Sequence, residues 1–423
     1  MQTYLFEIHT PNIKDYNESE ITPICFRELV PEITDTNYLT HDLFYYPAKF
    51  IPHVVRYCIQ KYSKENDTII DPFAGSGTVG LESYLCKRNS FLLDLNLLLN
   101  HAIKVKLPTD KKMIDKMILY KYLVEMTKSE FKFIPSWSNC YYWYPENILN
   151  ILTKYWGFIK SSDRGIITRI VETALIKISK HFSYAEHKTP KLFKSKRKIE
   201  YINDLLKTDW HKKLNDTLFE ISFEIVDKIN SFNNITRRYI NSVTYYGGVD
   251  SSCFNFPENI FFDMLITSPP YLQAQEYIRT SKMDLYWLGY NDQDIKRLSM
   301  LEIPYRKPNK IIETKTLIKV KNMLKRKDLL NMLDSYFCYV IQALENSMMK
   351  LKPNSRACIF LGNPKIDGIE VEIWRIVKEY FYEKNFVFEG VYEDKIKTRQ
   401  LFGMRKNKNP EGMKSEYLLV MKA

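Results

Sequence analysis

The sequence predicts an α/β protein, a doubly wound mixed sheet with a helical domain inserted into it. Three observations carry that prediction. Two short apolar runs end in an acid, Thr68-Ile69-Ile70-Asp71 and Ser90-Phe91-Leu92-Leu93-Asp94, and a glycine turn and a helical stretch lie between them. That is the order of a strand–helix–strand unit in a parallel sheet. Residues 106–240 then lose strand patterning and carry apolar positions at helical spacing, before strand-like runs return.

In chain order, residues 1–40 read as a polar, irregular arm. Lys49 to Tyr62 predicts a helix through Phe50, Val54, Val55, Cys58 and Ile59. After the strand at 68–71, Val79 to Cys86 is helical and 90–94 is a second buried strand. Helices follow at Lys112–Lys128, Pro145–Lys160, Gly165–Lys180 and Asp216–Phe232, separated by aromatic stretches and the basic run Lys188 to Lys198. Strands resume at 242–246 and 261–266. A long amphipathic helix spans about Leu329 to Lys350, Arg356 to Leu361 is a buried strand, and Phe386 to Tyr392 and Glu416 to Met421 close the sheet. The expected division is 1–105, a mainly helical 106–240, and 241–423 with a basic segment at 300–330.

With 423 residues, 45% hydrophobic and 14% aromatic, the chain can bury a large core, which excludes a disordered protein. There is no run of eighteen apolar residues and no signal-like start, so a cytoplasmic location and no membrane contact are expected. Seven cysteines without a CxxC pair, and histidines without ligand spacing, predict no metal. The net charge of +12 fits a polyanionic partner, and equally a lysine-rich composition.

Gly75-x-Gly77-x-x-Gly80 formally matches a dinucleotide-binding turn, where glycine lets the backbone approach a ligand at a helix N-terminus. It lacks the lysine of a phosphate-binding loop, which argues against triphosphate hydrolysis. Pro269-Pro270 follows an apolar strand and has no N–H to continue a ladder, so the chain leaves the sheet there in a stiff turn. Alone, that is a rigid loop.

The surrounding strings are more specific. Asp71-Pro72-Phe73-Ala74-Gly75-Ser76-Gly77-Thr78 resembles the cofactor motif of S-adenosylmethionine-dependent DNA amino-methyltransferases. Thr267-Ser268-Pro269-Pro270-Tyr271 resembles their catalytic motif. Leu272 to Arg279 and Leu285 to Tyr290 also look like a bacterial DNA methylase subgroup. The resemblance implies a class I methyltransferase-like sheet, S-adenosylmethionine as cofactor and double-stranded DNA as substrate, with a cognate restriction endonuclease as a possible partner.

By the same resemblance, Asp71, Phe73, Ala74, Gly75, Ser76, Gly77, Thr78 and Asp94 bind the cofactor. Pro47 and Phe50, in the string Tyr46 to Pro52, close its methionine end, and Asp250, after Gly247-Gly248-Val249, contacts its adenine. The Ser268 side chain and the Pro269 carbonyl accept hydrogen bonds from the target amine. Pro270 stiffens the loop, and Tyr271 stacks on a base flipped from the duplex. Ser268 favours cytosine N4, with adenine N6 as the alternative and an RNA methyltransferase or a NAD-binding module behind them. Methylation at cytosine C5 is excluded, because no cysteine follows a proline.

Candidate DNA contacts are Trp137, Tyr141, Tyr142, Lys191, Lys194, Lys196 and Arg197, the basic segment Arg306 to Lys327, and Lys395, Lys397 and Arg399. One feature departs from the family pattern: the inserted region precedes Asp250, where target recognition more often follows it.

Overall fold

Adjacent residues of an extended strand point to opposite faces, and the apolar run at 68–71 uses both. In the computed structural model, which describes residues 21–46, 49–186, 192–272, 276–303, 306–396 and 413–423, Ile69 and Ile70 are both fully buried, in separate cores on the two faces of one sheet. Leu92 and Leu93, and Leu418 and Leu419, divide in the same way. Burial on both faces explains why these strands read as unbroken apolar runs.

In chain order the strands are β1 (Thr22–Ile24), β2 (Thr68–Asp71), β3 (Asn89–Asp94), β4 (Val243–Gly247), β5 (Phe262–Thr267), β6 (Leu351–Gly362), β7 (Lys365–Ile366), β8 (Ile369–Glu370), β9 (Val387–Lys395) and β10 (Ser415–Lys422). Eight form one sheet in the order β1-β9-β10-β6-β5-β2-β3-β4, and β7 and β8 form a separate hairpin. Asp367 and Gly368, both at positive φ (49° and 84°), make the hairpin's two-residue turn. Among the described residues, only the pairings of β10 are antiparallel within the large sheet. The predicted class, a doubly wound mixed α/β sheet of the class I methyltransferase type, is the one observed.

Helices Pro52–Tyr62 and Thr78–Leu85 cover one face, and Lys315–Met323, Lys327–Met348 and Ile373–Tyr382 cover the other. From β2 the chain moves outward to β3 and β4, then returns to β5 on the opposite side of β2. This reversal opens a crevice at the C-terminal ends of β2 and β5, where open α/β sheets bind ligands.

Between β3 and β4 run helices Lys116–Thr127, Glu146–Ser161, Ile166–His181, Lys196–Leu205 and Trp210–Thr236. They share a core of their own, centred on Tyr122, Trp156, Leu175 and Val226, and that core also takes in Met283, Leu285, Tyr286 and Trp287 from helix Tyr277–Leu288.

The expectation of an irregular arm over 1–40 fails for its described part. Thr22–Ile24 pairs in parallel with Tyr392–Asp394, and Phe26 and Val30 are fully buried behind it. A three-residue strand is too short to show an alternating pattern, so only its tertiary pairing reveals it. No helix among the described residues is long and apolar enough to cross a membrane.

Candidate active site

The two loops singled out by the sequence leave the sheet side by side. At the crevice the Thr267 hydroxyl, on the last residue of β5, donates to Asp71 Oδ1 at 2.6 Å, on the last residue of β2. Asp71 also accepts from the Phe73 amide at 3.0 Å. Burial pushes its carboxyl up to about 7. Asp71 therefore ties the glycine turn to the strand before Ser268 and lies beneath the cleft, not in its wall.

The glycines act locally. Gly77 has φ 78° and precedes helix Thr78–Leu85, a left-handed conformation that favours glycine. A Cβ on Gly75 would come within 3.0 Å of the Tyr46 ring, and one on Gly80 within 2.6 Å of Leu92 in the sheet. The turn is supported from below by Lys106, a fully buried lysine whose ammonium donates to the Ser76 carbonyl at 2.7 Å.

Above the turn lies a concave cleft, the kind of surface that takes small ligands. Of the residues expected from sequence, Phe50, Phe73, Ala74, Gly75, Ser76, Thr78, Asp94, Asp250, Ser268 and Pro270 line it. Asp71, Gly77, Pro269 and Tyr271 are not in its walls, and Pro47 falls outside the described residues. Tyr271 donates its hydroxyl to Glu416 on β10, with its ring against Gly362.

Three further elements complete the walls. Tyr46 stacks on Tyr277 with ring centres 5.6 Å apart, and Phe50 stacks on Phe360 at 5.5 Å. Lys49 is held by the carbonyls of Thr36 and His41 at 3.2 and 3.0 Å, and burial pushes its ammonium down to about 8. Glu302 accepts from the Ile278 amide at 2.8 Å at the start of helix Tyr277–Leu288, and burial pushes its carboxyl up to about 7. Asp94 accepts from the amides of Gly75 and Asn96, each at 2.7 Å, yet burial still pushes it up to about 6. Ser251, beside Asp250, donates to the Pro72 carbonyl at 2.5 Å, which fixes the acidic loop against the glycine turn.

Tyr46 and Lys49 could have been read from the string they share with Pro47 and Phe50. Nothing local marks Lys106 or Glu302, whose roles depend on contacts distant in sequence.

The chemistry of the walls is that of a site for a nucleoside bearing an amino-acid tail. The hydroxyls of Ser76 and Thr78 are buried and have no hydrogen-bond partner within the protein. They sit at the start of a helix, where a carboxylate would satisfy them and meet the helix dipole. The same cleft carries the buried carboxyls of Asp94 and Glu302, groups able to accept from hydroxyls and to face a cation. The residues present therefore fit S-adenosylmethionine.

Other expected contacts separate by burial. Trp137 is buried, stacked on Tyr286 at 4.8 Å and on Trp143 at 5.7 Å, so it is a core residue. Tyr141 and Tyr142 are exposed, and Lys194 lies over the Tyr142 ring. Lys395 is exposed at the end of β9, whereas Lys191, Lys397 and Arg399 fall outside the described residues.

A DNA methylase family model, covering enzymes of the N6 and N4 type, matches residues 10–104, which hold the Tyr46 string, the glycine turn and Asp94. The chain is also 24% identical over 306 residues to the Type II methyltransferase M.BsoBI of Geobacillus stearothermophilus, an alignment covering 67% of this chain and 59% of that protein. With the sheet order, the paired loops and the cleft between them, these matches make the chain similar to the N6/N4 amino-methyltransferases.

Proposed function

We propose that this protein transfers a methyl group from S-adenosylmethionine to an exocyclic amino group in double-stranded DNA, at cytosine N4. We further propose that it is the modification enzyme of a restriction–modification pair. The observation that carries the reading is that Ser268 and Pro270 share one cleft with the orphaned hydroxyls of Ser76 and Thr78 and with Asp94 and Asp250. The relative named as a Type II methyltransferase supports DNA as substrate and a restriction partner.

In this reading Ser76 and Thr78 take the cofactor's carboxylate, Asp94 its ribose hydroxyls and Asp250 its adenine. Phe50 and Phe73 supply apolar walls. When bound, the cofactor supplies an electrophilic methyl group on a sulfonium. The base amine is a poor nucleophile because its lone pair is delocalised into the ring. The Ser268 hydroxyl, which lines the cleft, accepts one of its N–H groups and holds the nitrogen in line, so positioning and fixed dipoles do most of the work, whereas the Pro269 carbonyl, expected to take the other, belongs to a residue outside the cleft walls. The two prolines hold that loop without internal hydrogen bonds.

Ser268 is the basis for preferring cytosine. Incubation with labelled S-adenosylmethionine and duplexes of varied sequence, followed by digestion to nucleosides, is expected to yield N4-methylcytosine. Label only in N6-methyladenine would reverse the base assignment, and label in structured RNA but never in duplex would reverse the substrate.

A further inference from the structure

Arg306 heads the basic stretch that charge alone would send to the DNA backbone, yet its side chain is only 17% exposed. It donates to Asp250 Oδ2 at 2.7 Å, its guanidinium carbon lies 3.7 Å from the centre of the Tyr339 ring, and it lines the cleft beside Val249, Asp250 and Ile303. The segment it starts is fixed as well. The Ser335 hydroxyl donates to the Arg306 carbonyl at 2.6 Å, the Tyr339 hydroxyl to the Lys307 carbonyl at 2.5 Å, and the Gln342 side-chain amide to the Asn309 side chain at 2.8 Å. All three come from the helix Lys327–Met348, which packs in the core on that face of the sheet. The guanidinium is thus held between a ring face and a carboxylate, on a segment fixed by a rigid element.

A guanidinium has five N–H donors in a planar fork, so the Asp250 bond leaves donors to spare. On the carboxylate side, Oδ1 of Asp250 accepts from the amide and hydroxyl of Ser252 at 3.0 and 2.7 Å, which fixes its orientation. The cleft wall therefore carries a fixed donor beside a fixed acceptor. The edge of adenine presents the complement, an N6–H donor beside the N1 acceptor, whereas hypoxanthine inverts it to an acceptor beside an N–H donor.

We propose that Arg306 is a cofactor-binding residue: with Asp250 it forms a donor–acceptor pair that selects the adenine edge of S-adenosylmethionine, and it does not contact DNA. This rests on the cofactor reading above. The test is calorimetric titration of the full chain and its Arg306→Ala and Arg306→Lys variants with S-adenosylmethionine, S-adenosylhomocysteine and S-inosylhomocysteine, with duplex binding measured in parallel. Arg306→Ala is expected to weaken S-adenosylmethionine about tenfold or more, shrink the preference for the adenosyl over the inosyl compound, and leave duplex affinity within about twofold. Arg306→Lys, which keeps the charge but loses the fork, should recover only part of the binding. Unchanged cofactor affinity with weaker duplex binding would assign Arg306 to DNA instead, and weaker cofactor binding with an unchanged adenosyl preference would reduce it to a structural prop; either overturns the proposal. A wild-type chain that binds no S-adenosylmethionine would instead remove the cofactor reading itself.

Discussion

Ser268 and Tyr271 are neighbours in one motif, but the fold uses them differently. Ser268 lines the cleft, and no hydrogen bond among the described residues occupies its hydroxyl. Ser268→Ala is expected to abolish most methyl transfer while leaving cofactor affinity intact, measured by titration beside the activity assay. Tyr271 spends its hydroxyl on Glu416, whose carboxyl burial holds above the usual range. If its ring is what stacks on the base, Tyr271→Phe keeps activity and loses about 1–3 kcal/mol of stability, because Glu416 is left without its donor. Tyr271→Ala loses both. Inactive Tyr271→Phe with normal stability would move the role from the ring to the hydroxyl. Charge in the cleft makes a separate prediction. Burial raises Asp94 to about 6 and Glu302 to about 7, so in the ligand-free protein both carboxyls become fully charged only as pH rises through that window. Negative charge favours a cationic cofactor, so affinity should tighten between pH 5.5 and 7.5, on the order of tenfold, and Asp94→Asn should flatten the profile. A wild-type profile without slope would contradict it.

At the level of the element, helix Thr78–Leu85 shows what the sequence revealed and what it hid. Its start was legible, because a glycine turn after an acid-ended strand has few other uses. Its anchor was not. Glu82, fully buried, accepts from Arg56 at 2.7 Å, from His41 at 2.6 Å and from Tyr38. Burial alone would raise its carboxyl, but Arg56 and the hydrogen bonds of His41 and Tyr38 outweigh burial and hold it at about 2. The partners lie on helix Pro52–Tyr62 and on the segment before Tyr46, so the cluster braces the chain that forms one wall of the cleft. Nothing in periodicity marks a glutamate as the centre of such a cluster. Glu82→Ala should cost about 3–5 kcal/mol in denaturant unfolding, since it takes the near carboxylate from a largely buried guanidinium and leaves it only Glu32 at 4.0 Å. Because the folded carboxyl is held below its unfolded value of 4.5, this contribution is whole above that pH and disappears as pH falls toward 2. A loss under 1 kcal/mol at neutral pH would show that the cluster adds little.

Across the whole molecule, the family-like string Leu285 to Tyr290 gains a physical reason. Helix Tyr277–Leu288 begins in the cleft wall and ends inside the core of the helices between β3 and β4. Trp287 is fully buried there, stacked on Trp156 at 5.5 Å, with its indole N–H donating to the Tyr144 hydroxyl at 2.8 Å. The inserted helices, distant in sequence from Ser268, are thus joined to the cleft wall by one rigid element, which strand and helix periodicities cannot show. Trp287→Ala should destabilise the chain by about 3–5 kcal/mol, the usual cost of removing a large buried aromatic ring. Trp287→Phe keeps most of the apolar volume, loses the bond to Tyr144, and should lower turnover more than cofactor affinity. If the inserted helices grip the duplex, DNA binding should also slow hydrogen exchange of the amides in Tyr277–Leu288. Unchanged exchange in that helix, with protection confined to the inserted helices, would show that grip and catalysis are not coupled through it.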